Sequence, residues 1–226
     1  MRRDRLELLG FGAFFAVAMV GVALLGEALG QRESTIRAMP LLVMELALLA
    51  LVAPVVWLLQ AWRGLRLRDL DLFVPPEGWR RACFVGVTCG IAIKIATIVL
   101  AVIVVPLGAS SGGPVLVVKS PLDLLAFVLA GCVAAAIEEL VFRGYLTDRV
   151  GRAFRWPRMS WATGAVTSLL FSLGHGYQGM IGLIVSMFVG LAFFAMLRSG
   201  KYHLVHCIAA HATFNAIAFS AAAAIQ

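Results

Sequence analysis

Seven apolar runs, at about 6–30, 38–62, 82–107, 121–147, 159–176, 178–198 and 203–225, fill most of this chain. Each is near the ~20 residues that carry a helix across a bilayer. Inside lipid the backbone finds no water to bond, so such runs are confined to helices or closed barrels. No run has the alternating pattern of a transmembrane strand. The fold class read here is therefore an all-α polytopic membrane protein of about seven transmembrane helices. With 62% hydrophobic and 14% charged residues, a soluble domain of this length is excluded. The whole chain, 1–226, reads as a single integral membrane domain. Its first run follows the basic start MRRDR but exceeds a signal-peptide core and leads into further spans, so it reads as an uncleaved first helix.

The net charge of +7 invites a nucleic-acid reading, which the positions of the charges argue against. Arg2, Arg3, Arg5, Arg63, Arg66, Arg68, Arg80, Arg81, Arg149, Arg152, Arg155, Arg158, Arg198 and Lys201 fall on one side of the proposed helices, fourteen in all. Arg32, Arg37 and Lys119 are the three on the other side, while Lys94 and Arg143 lie within spans. Fourteen against three is a strong positive-inside asymmetry. It places the N-terminus in the cytoplasm and the C-terminus outside, and it supports an odd number of spans. Anionic lipid then accounts for the basic balance, and no nucleic-acid partner is needed. The short-looped layout suits a prokaryotic cytoplasmic membrane. Cys83, Cys89, Cys132 and Cys207 include no CxxC pair and read as small packing residues.

The chain divides near residue 115. Residues 1–115 carry three helices without a chemical motif; 116–226 form the candidate catalytic core. The 63–81 loop, broken by Pro75 and Pro76, reads as an interfacial elbow. GASSGGP at 108–114 reads as a flexible outer loop. Ser120 and Pro121 are suited to cap and open the fourth helix.

That fourth run contains AAAIEELVFRGYL. Charges within a span each cost about 2.5–3.5 kcal/mol by insertion scales, so Glu138, Glu139 and Arg143 mark a site. Glu139 and Arg143 are four residues apart and share a helix face; Glu138 is turned about 100° away. One carboxylate can be held by Arg143 while the other faces a cavity. Later runs carry Phe171/His175 in FSLGH and His211/Asn215 in HATFN, again four residues apart. A single intramembrane His is commonly a packing residue, and His203 and His206 read as interfacial. Ser168, Ser172 and Thr213 read as packing hydroxyls, and Gly182, Gly190 and Ala195 as close-packing positions. Glu45 is placed to face the bundle interior, Glu27 to reach water, and Lys94 either to line a cavity or to pack at a helix interface.

Hydrolysis suits this set, since an amide needs activated water, a base and donors for the oxyanion. A carboxylate and a His can activate water, and a His with an Asn amide can stabilise the tetrahedral oxygen. Glu and His are also metal ligands, so water activation with and without metal stays open. No cofactor is certain; a zinc or other divalent ion would use Glu138, His175 and His211. HExxH, a GxSG-type serine motif and GxGD are all missing.

EELVFRG, FSLGH and HATFN, in this order on successive helices, resemble the CPBP family, the CAAX-protease and bacteriocin-processing (Abi) family of intramembrane endopeptidases. The resemblance covers roughly 121–220. It implies a four-helix catalytic core and peptide-bond hydrolysis, with a peptide or protein substrate at the membrane. It places water activation on Glu138 with His175, and oxyanion stabilisation or metal binding on His211 and Asn215. Glu139, Arg143 and Phe171 fill supporting positions. The rival readings are a non-catalytic membrane scaffold or bacteriocin-immunity-type protein, and a small proton-coupled transporter. Substrate, cleavage position and oligomeric state are not legible in the sequence.

One geometric difficulty follows from straight helices. Glu138 and His211 fall about 12–18 Å from the cytoplasmic side and His175 about 25 Å along its span, at 1.5 Å per residue. The three meet only if the fifth helix starts late, with RWPRMSW lying in the interface.

The charge asymmetry predicts that cysteines introduced at positions 66 and 152 are labelled from the cytoplasmic side. Labelling of both by an impermeant reagent in intact cells would overturn this topology.

Overall fold

The computed structural model describes residues 2–31, 35–64, 75, 77–107 and 115–225. The 108–114 loop and most of the 63–81 elbow, with Arg32, Arg66 and Arg68, lie outside the described residues, so those readings rest on sequence alone.

The first half supplies α1 (Arg2–Ala28), α2 (Ala38–Trp62) and α3 (Trp79–Val104). Next comes α4 (Pro121–Glu138), which runs through a π-helical stretch, Glu139–Leu146, into α5 (Thr147–Phe154). These three pieces form one rod of 34 residues, about 51 Å long at 1.5 Å per residue. Three helices follow: α6 (Trp161–Leu173), α7 (Gly179–Arg198) and α8 (Leu204–Ala224). The start of α4 is the one expected. Ser120 accepts from the Asp123 amide at 3.1 Å, and Pro121 occupies the first turn, where a missing N–H costs nothing.

Among the described residues six helices are long and apolar enough to cross a membrane, which makes this an integral membrane protein. The fifth of the seven apolar runs is the shortest, holding the 13-residue apolar helix α6, about 20 Å long. The turn before it limits its length. Ser160 accepts from the Thr163 amide at 3.2 Å, and the Thr163 hydroxyl donates to the Pro157 carbonyl at 3.2 Å. The Trp156 amide closes back on the Gly151 carbonyl at 2.8 Å. Helices α6 and α7 make a hairpin, and Arg198 donates to the Met159 carbonyl across its open end.

Two three-residue strands, β1 (Thr35–Arg37) and β2 (Val115–Val117), pair in parallel with Thr35 opposite Val115. Each leads into a long helix, so α2 and α4 start at the same end of the bundle. The charge alternation requires this of the second and fourth spans.

Large apolar side chains on α1–α3, such as Val17, Phe84, Val102 and Ile103, are exposed, as a lipid-facing surface demands. Between helices lipid provides no hydrophobic drive, so close packing and polar contacts hold the bundle. Gly90 shows the first device: a Cβ there would lie 2.4 Å from the Ala210 carbonyl oxygen of α8. Gly190 of α7 likewise packs on Ser168 of α6, where a Cβ would meet the serine Cβ at 2.9 Å. The Ser172 hydroxyl donates to the Leu183 carbonyl at 2.7 Å and that of Thr213 to Ala209 at 2.8 Å, as expected of packing hydroxyls. Cys207 is buried, but Cys83 is exposed on α3 and does not fit the packing reading.

A polar knot joins α1 and α2 to the rod. The Arg149 guanidinium is fully buried and lies 2.9 Å from Glu7 of α1. It also donates to Gln60 of α2 at 2.9 Å and to Asp148 at 3.0 Å. Glu7 further accepts from Tyr145 at 3.0 Å and from Arg63 at 2.6 Å. Arg149 is thus no loop charge: helix continues past 147 to Phe154, and its side chain turns inward. His206 is a second correction, buried rather than interfacial. Its Nδ1 accepts the His203 amide at 3.0 Å, which leaves Nε2–H to donate to Glu77 at 3.0 Å.

Replacing Glu7 with Ala leaves the buried Arg149 with Asp148 as its remaining carboxylate partner and Tyr145 without its acceptor, at a cost of up to about 3–5 kcal/mol, the loss expected when a buried charge is left wholly unpaired. The expected outcome is a lower thermal midpoint and folded yield in detergent, with Leu6→Ala as an exposed control. An unchanged midpoint for Glu7→Ala would refute the role given to this knot.

Candidate active site

The rod changes its winding at the two motif glutamates. At Glu139 the α-helix opens into a π-helix that ends at Leu146, and the Thr147 hydroxyl donates to the Phe142 carbonyl at 2.8 Å, five residues back. Such wide turns recur at functional sites. Glu138 closes the regular α-helix; Glu139 opens the wide one. The two carboxylates consequently part company. Glu139 is completely buried, whereas the Glu138 side chain is 27% exposed.

Glu139 Oε1 accepts from Arg143 Nη1 at 3.0 Å, the expected i,i+4 pair, and lies 2.8 Å from His211 Nδ1 of α8. An ionised carboxylate only accepts, so Nδ1 carries the proton and His211 Nε2 is turned the other way. There it meets Glu138 Oε2 at 3.4 Å. Arg143 is clamped by aromatic faces, with its guanidinium carbon 4.5 Å from the Phe171 ring centre and 5.4 Å from that of Phe193. Phe171 also stacks near both histidines, at 4.6 Å from His175 and 5.9 Å from His211. His175 sits just beyond α6, where its Nδ1 lies 2.9 Å from the Phe171 carbonyl. A carbonyl only accepts, so Nδ1–H donates and Nε2 keeps its lone pair. Asn215 donates one amide hydrogen to the Gly131 carbonyl at 3.1 Å, which leaves its second for other use.

Glu138, His175, His211 and Asn215 line one cavity of about 320 Å³. Phe171 lies at its wall, and Glu139 and Arg143 lie behind it. The depth problem is resolved by helix ends. Helix continues from Glu138 for 16 residues to Phe154, about 24 Å. Starting at Trp161, His175 comes 14 residues later, about 21 Å from the same turn. His211 joins them because α8 begins inside the bundle, with Leu204 fully buried.

On α8 the His211 ring is in polar contact with the Glu138 carboxylate, and His175 lines the same cavity. Glu45 of α2 and Lys94 of α3 also line the cavity, which realises the interior reading of Glu45 and the cavity reading of Lys94; Glu27 is exposed. Tyr177 and Gln178 form part of the wall too. Their position two and three residues after His175 was the available signal, and sequence reasoning passed over it. Among the described residues no three His, Cys, Asp or Glu side chains are gathered in metal-binding geometry, so the metal use of Glu138, His175 and His211 stays an open reading.

Residues 120–217 match the family model for type II CAAX prenyl endopeptidase Rce1-like proteins. No curated protein and no solved structure matches the chain. The matched segment begins at the cap of α4 and ends just after Asn215, so it contains every motif residue of the cavity. Glu45 and Lys94, which close the cavity from α2 and α3, lie outside it.

The burial of Glu139 and the exposure of Glu138 separate their roles in stability. Glu139→Gln leaves Arg143 buried without its counter-charge and is expected to destabilise the protein by about 3–5 kcal/mol. Glu138→Gln is expected to cost well under that, because water already reaches the side chain. Equal losses in thermal unfolding of the two variants would contradict the assignment.

Proposed function

We propose that this protein is an intramembrane endopeptidase in which Glu138 activates water for attack on a peptide bond. The supporting observation is the geometry of Glu138: a carboxylate open to the cavity, 3.4 Å from a His211 nitrogen whose partner nitrogen is fixed by Glu139. The family match supports a protease acting on a peptide at the membrane. The charge asymmetry supports an N-terminus in the cytoplasm.

The lone pairs decide the roles. A water in the cavity has two hydrogens, one for the Glu138 carboxylate and one for His175 Nε2. Glu138 takes a proton as the water oxygen adds to the peptide carbonyl. The second amide hydrogen of Asn215 and the protonated ring of His211 then meet the developing oxyanion. His211 Nε2 receives its proton from Glu138 across their short contact, and Glu139 stabilises the resulting imidazolium. As the tetrahedral intermediate collapses, that proton passes to the leaving amine. The peptide bond breaks, and the enzyme returns to its starting protonation state. Arg143 keeps Glu139 ionised and in place; it is a positioning residue.

These steps use side chains alone, so turnover is expected to survive a chelator; loss restored by zinc would install the metal reading for Glu138, His175 and His211. Purified Glu138→Gln protein, shown to be folded, is expected to cleave no member of a lipid-anchored peptide library that the wild type cleaves. His211→Ala and Asn215→Ala are expected to lower turnover by about 10²–10³, the usual loss of one oxyanion donor. Full cleavage by folded Glu138→Gln would overturn the assignment. A wild type that binds a partner protein tightly, with Glu138→Gln equally competent in cells, would favour the scaffold reading.

A further inference from the structure

Lys94 is the sixteenth residue of α3, about 22 Å from the start of the helix and about 15 Å from its end. Its four-carbon stem cannot carry the ammonium to either interface, so it cannot escape by snorkelling. It makes no ion pair and no side-chain hydrogen bond among the described residues; its neighbour is the Phe214 ring, 4.3 Å from Nζ to the ring centre. A cation alone within a membrane span is costly and marks a ligand path. The Lys94 side chain is a wall of the cavity that holds Glu138 and His211. Phe214 comes three residues after His211 on α8, so the ammonium sits about one helical turn from the reacting pair.

We propose that Lys94 is a substrate-binding residue that receives a carboxylate of the peptide. The inference rests on the endopeptidase reading and adds a subsite to it. Glu45 and Glu138 also line the cavity, so an anionic group of a ligand is best placed beside the Lys94 ammonium. A peptide in extended form advances about 3.3–3.6 Å per residue. One turn of α8 therefore puts the bound carboxylate within a few residues of the bond to be cut. Two sources fit this chemistry: the free C-terminus of the substrate, and an Asp or Glu side chain near the cleavage site. Lys94 lies outside the matched segment, so substrate selection by this residue belongs to the first half of the chain.

The test uses full-length protein in nanodiscs and three pools of lipid-anchored peptides with randomised apolar sequences. One pool ends in a free carboxylate, one in an amide, and one in an amide with a single Asp at varied positions. Cleavage by wild type and binding to Glu138→Gln are both read by mass spectrometry. A hydrogen bond to a charged group contributes about 1.5–3 kcal/mol, so the favoured carboxylate pool is expected to bind about tenfold to hundredfold better than the neutral amide pool. Lys94→Met, checked for folding by its thermal midpoint, is expected to abolish that preference, and Lys94→Arg to retain most of it. The favoured pool identifies the source of the carboxylate. No preference in wild type, no binding by any pool, or a preference that survives Lys94→Met overturns the subsite. A Lys94-dependent binding preference with no cleavage of any pool would instead count against the peptidase reading and leave the carboxylate subsite standing. If Lys94→Met does not fold, a folded Lys94→Gln carries the same two outcomes.

Discussion

The carboxylate of Glu139 is the point on which the motif-bearing half is built. It is fully buried in a bundle whose outside is lipid, where an unpaired charge could not persist. Two donors converge on one oxygen: Arg143 from the same rod and His211 from α8. Arg143 in turn lies between Phe171 of α6 and Phe193 of α7. One buried anion thereby fixes four helices relative to one another. It also determines which way His211 faces, because a carboxylate at Nδ1 directs Nε2 toward Glu138. The reactive-looking glutamate is open to the cavity because its neighbour has taken the structural task.

The opposite device holds the first half. There a buried cation, Arg149, gathers Glu7 of α1 and Gln60 of α2, and Arg63 completes the ring around Glu7. The helices of the first half have mostly exposed apolar faces, and lipid meets those faces as well as another helix would. Polar contacts and glycine-mediated approach are what select one arrangement. The carboxylate centre and the Arg149 centre both use residues of the rod, so the 121–154 element is the frame that the other helices are attached to.

The motif residues were legible because a span tolerates few charges: Glu138, Glu139, Arg143, His175, His211 and Asn215 stand out against Leu, Ala and Val, and the same economy makes them converge. The helical class and most helix limits were legible for the same reason, through run length. Arg149 was not, because RVGRAFRWPR has the same basic look as a cytoplasmic loop, and only the continuation of helix to Phe154 turns one of its arginines inward. Glu7, adjacent to a basic N-terminus, was hidden in the same manner. The fifth run looked like a span because apolar composition continues through FSLGHGYQG, although the cap at Ser160 and the break at Gly174 leave a helix of 13 residues. The π-helical winding has no composition of its own, since the pattern of EELVFRGYL is equally compatible with an α-helix. His206 gave no sign of burial, because its partner Glu77 lies 129 positions away.

The proposed chemistry and the proposed substrate selection are divided along the chain. The segment that matches the family model holds Glu138, His175, His211 and Asn215 on one side of the cavity, on helices locked by Glu139. The wall opposite is completed by α2 and α3, which bring Glu45 and Lys94. Those helices approach through different contacts: α3 by the Gly90 step against Ala210, α2 through the strand pair and the Arg149 knot. Changes in α2 or α3 can therefore alter what the cavity admits without disturbing the Glu139 centre. The motif-poor first half is in this sense a part of the site, and the segment carrying all the motifs is by itself a cavity with one side missing.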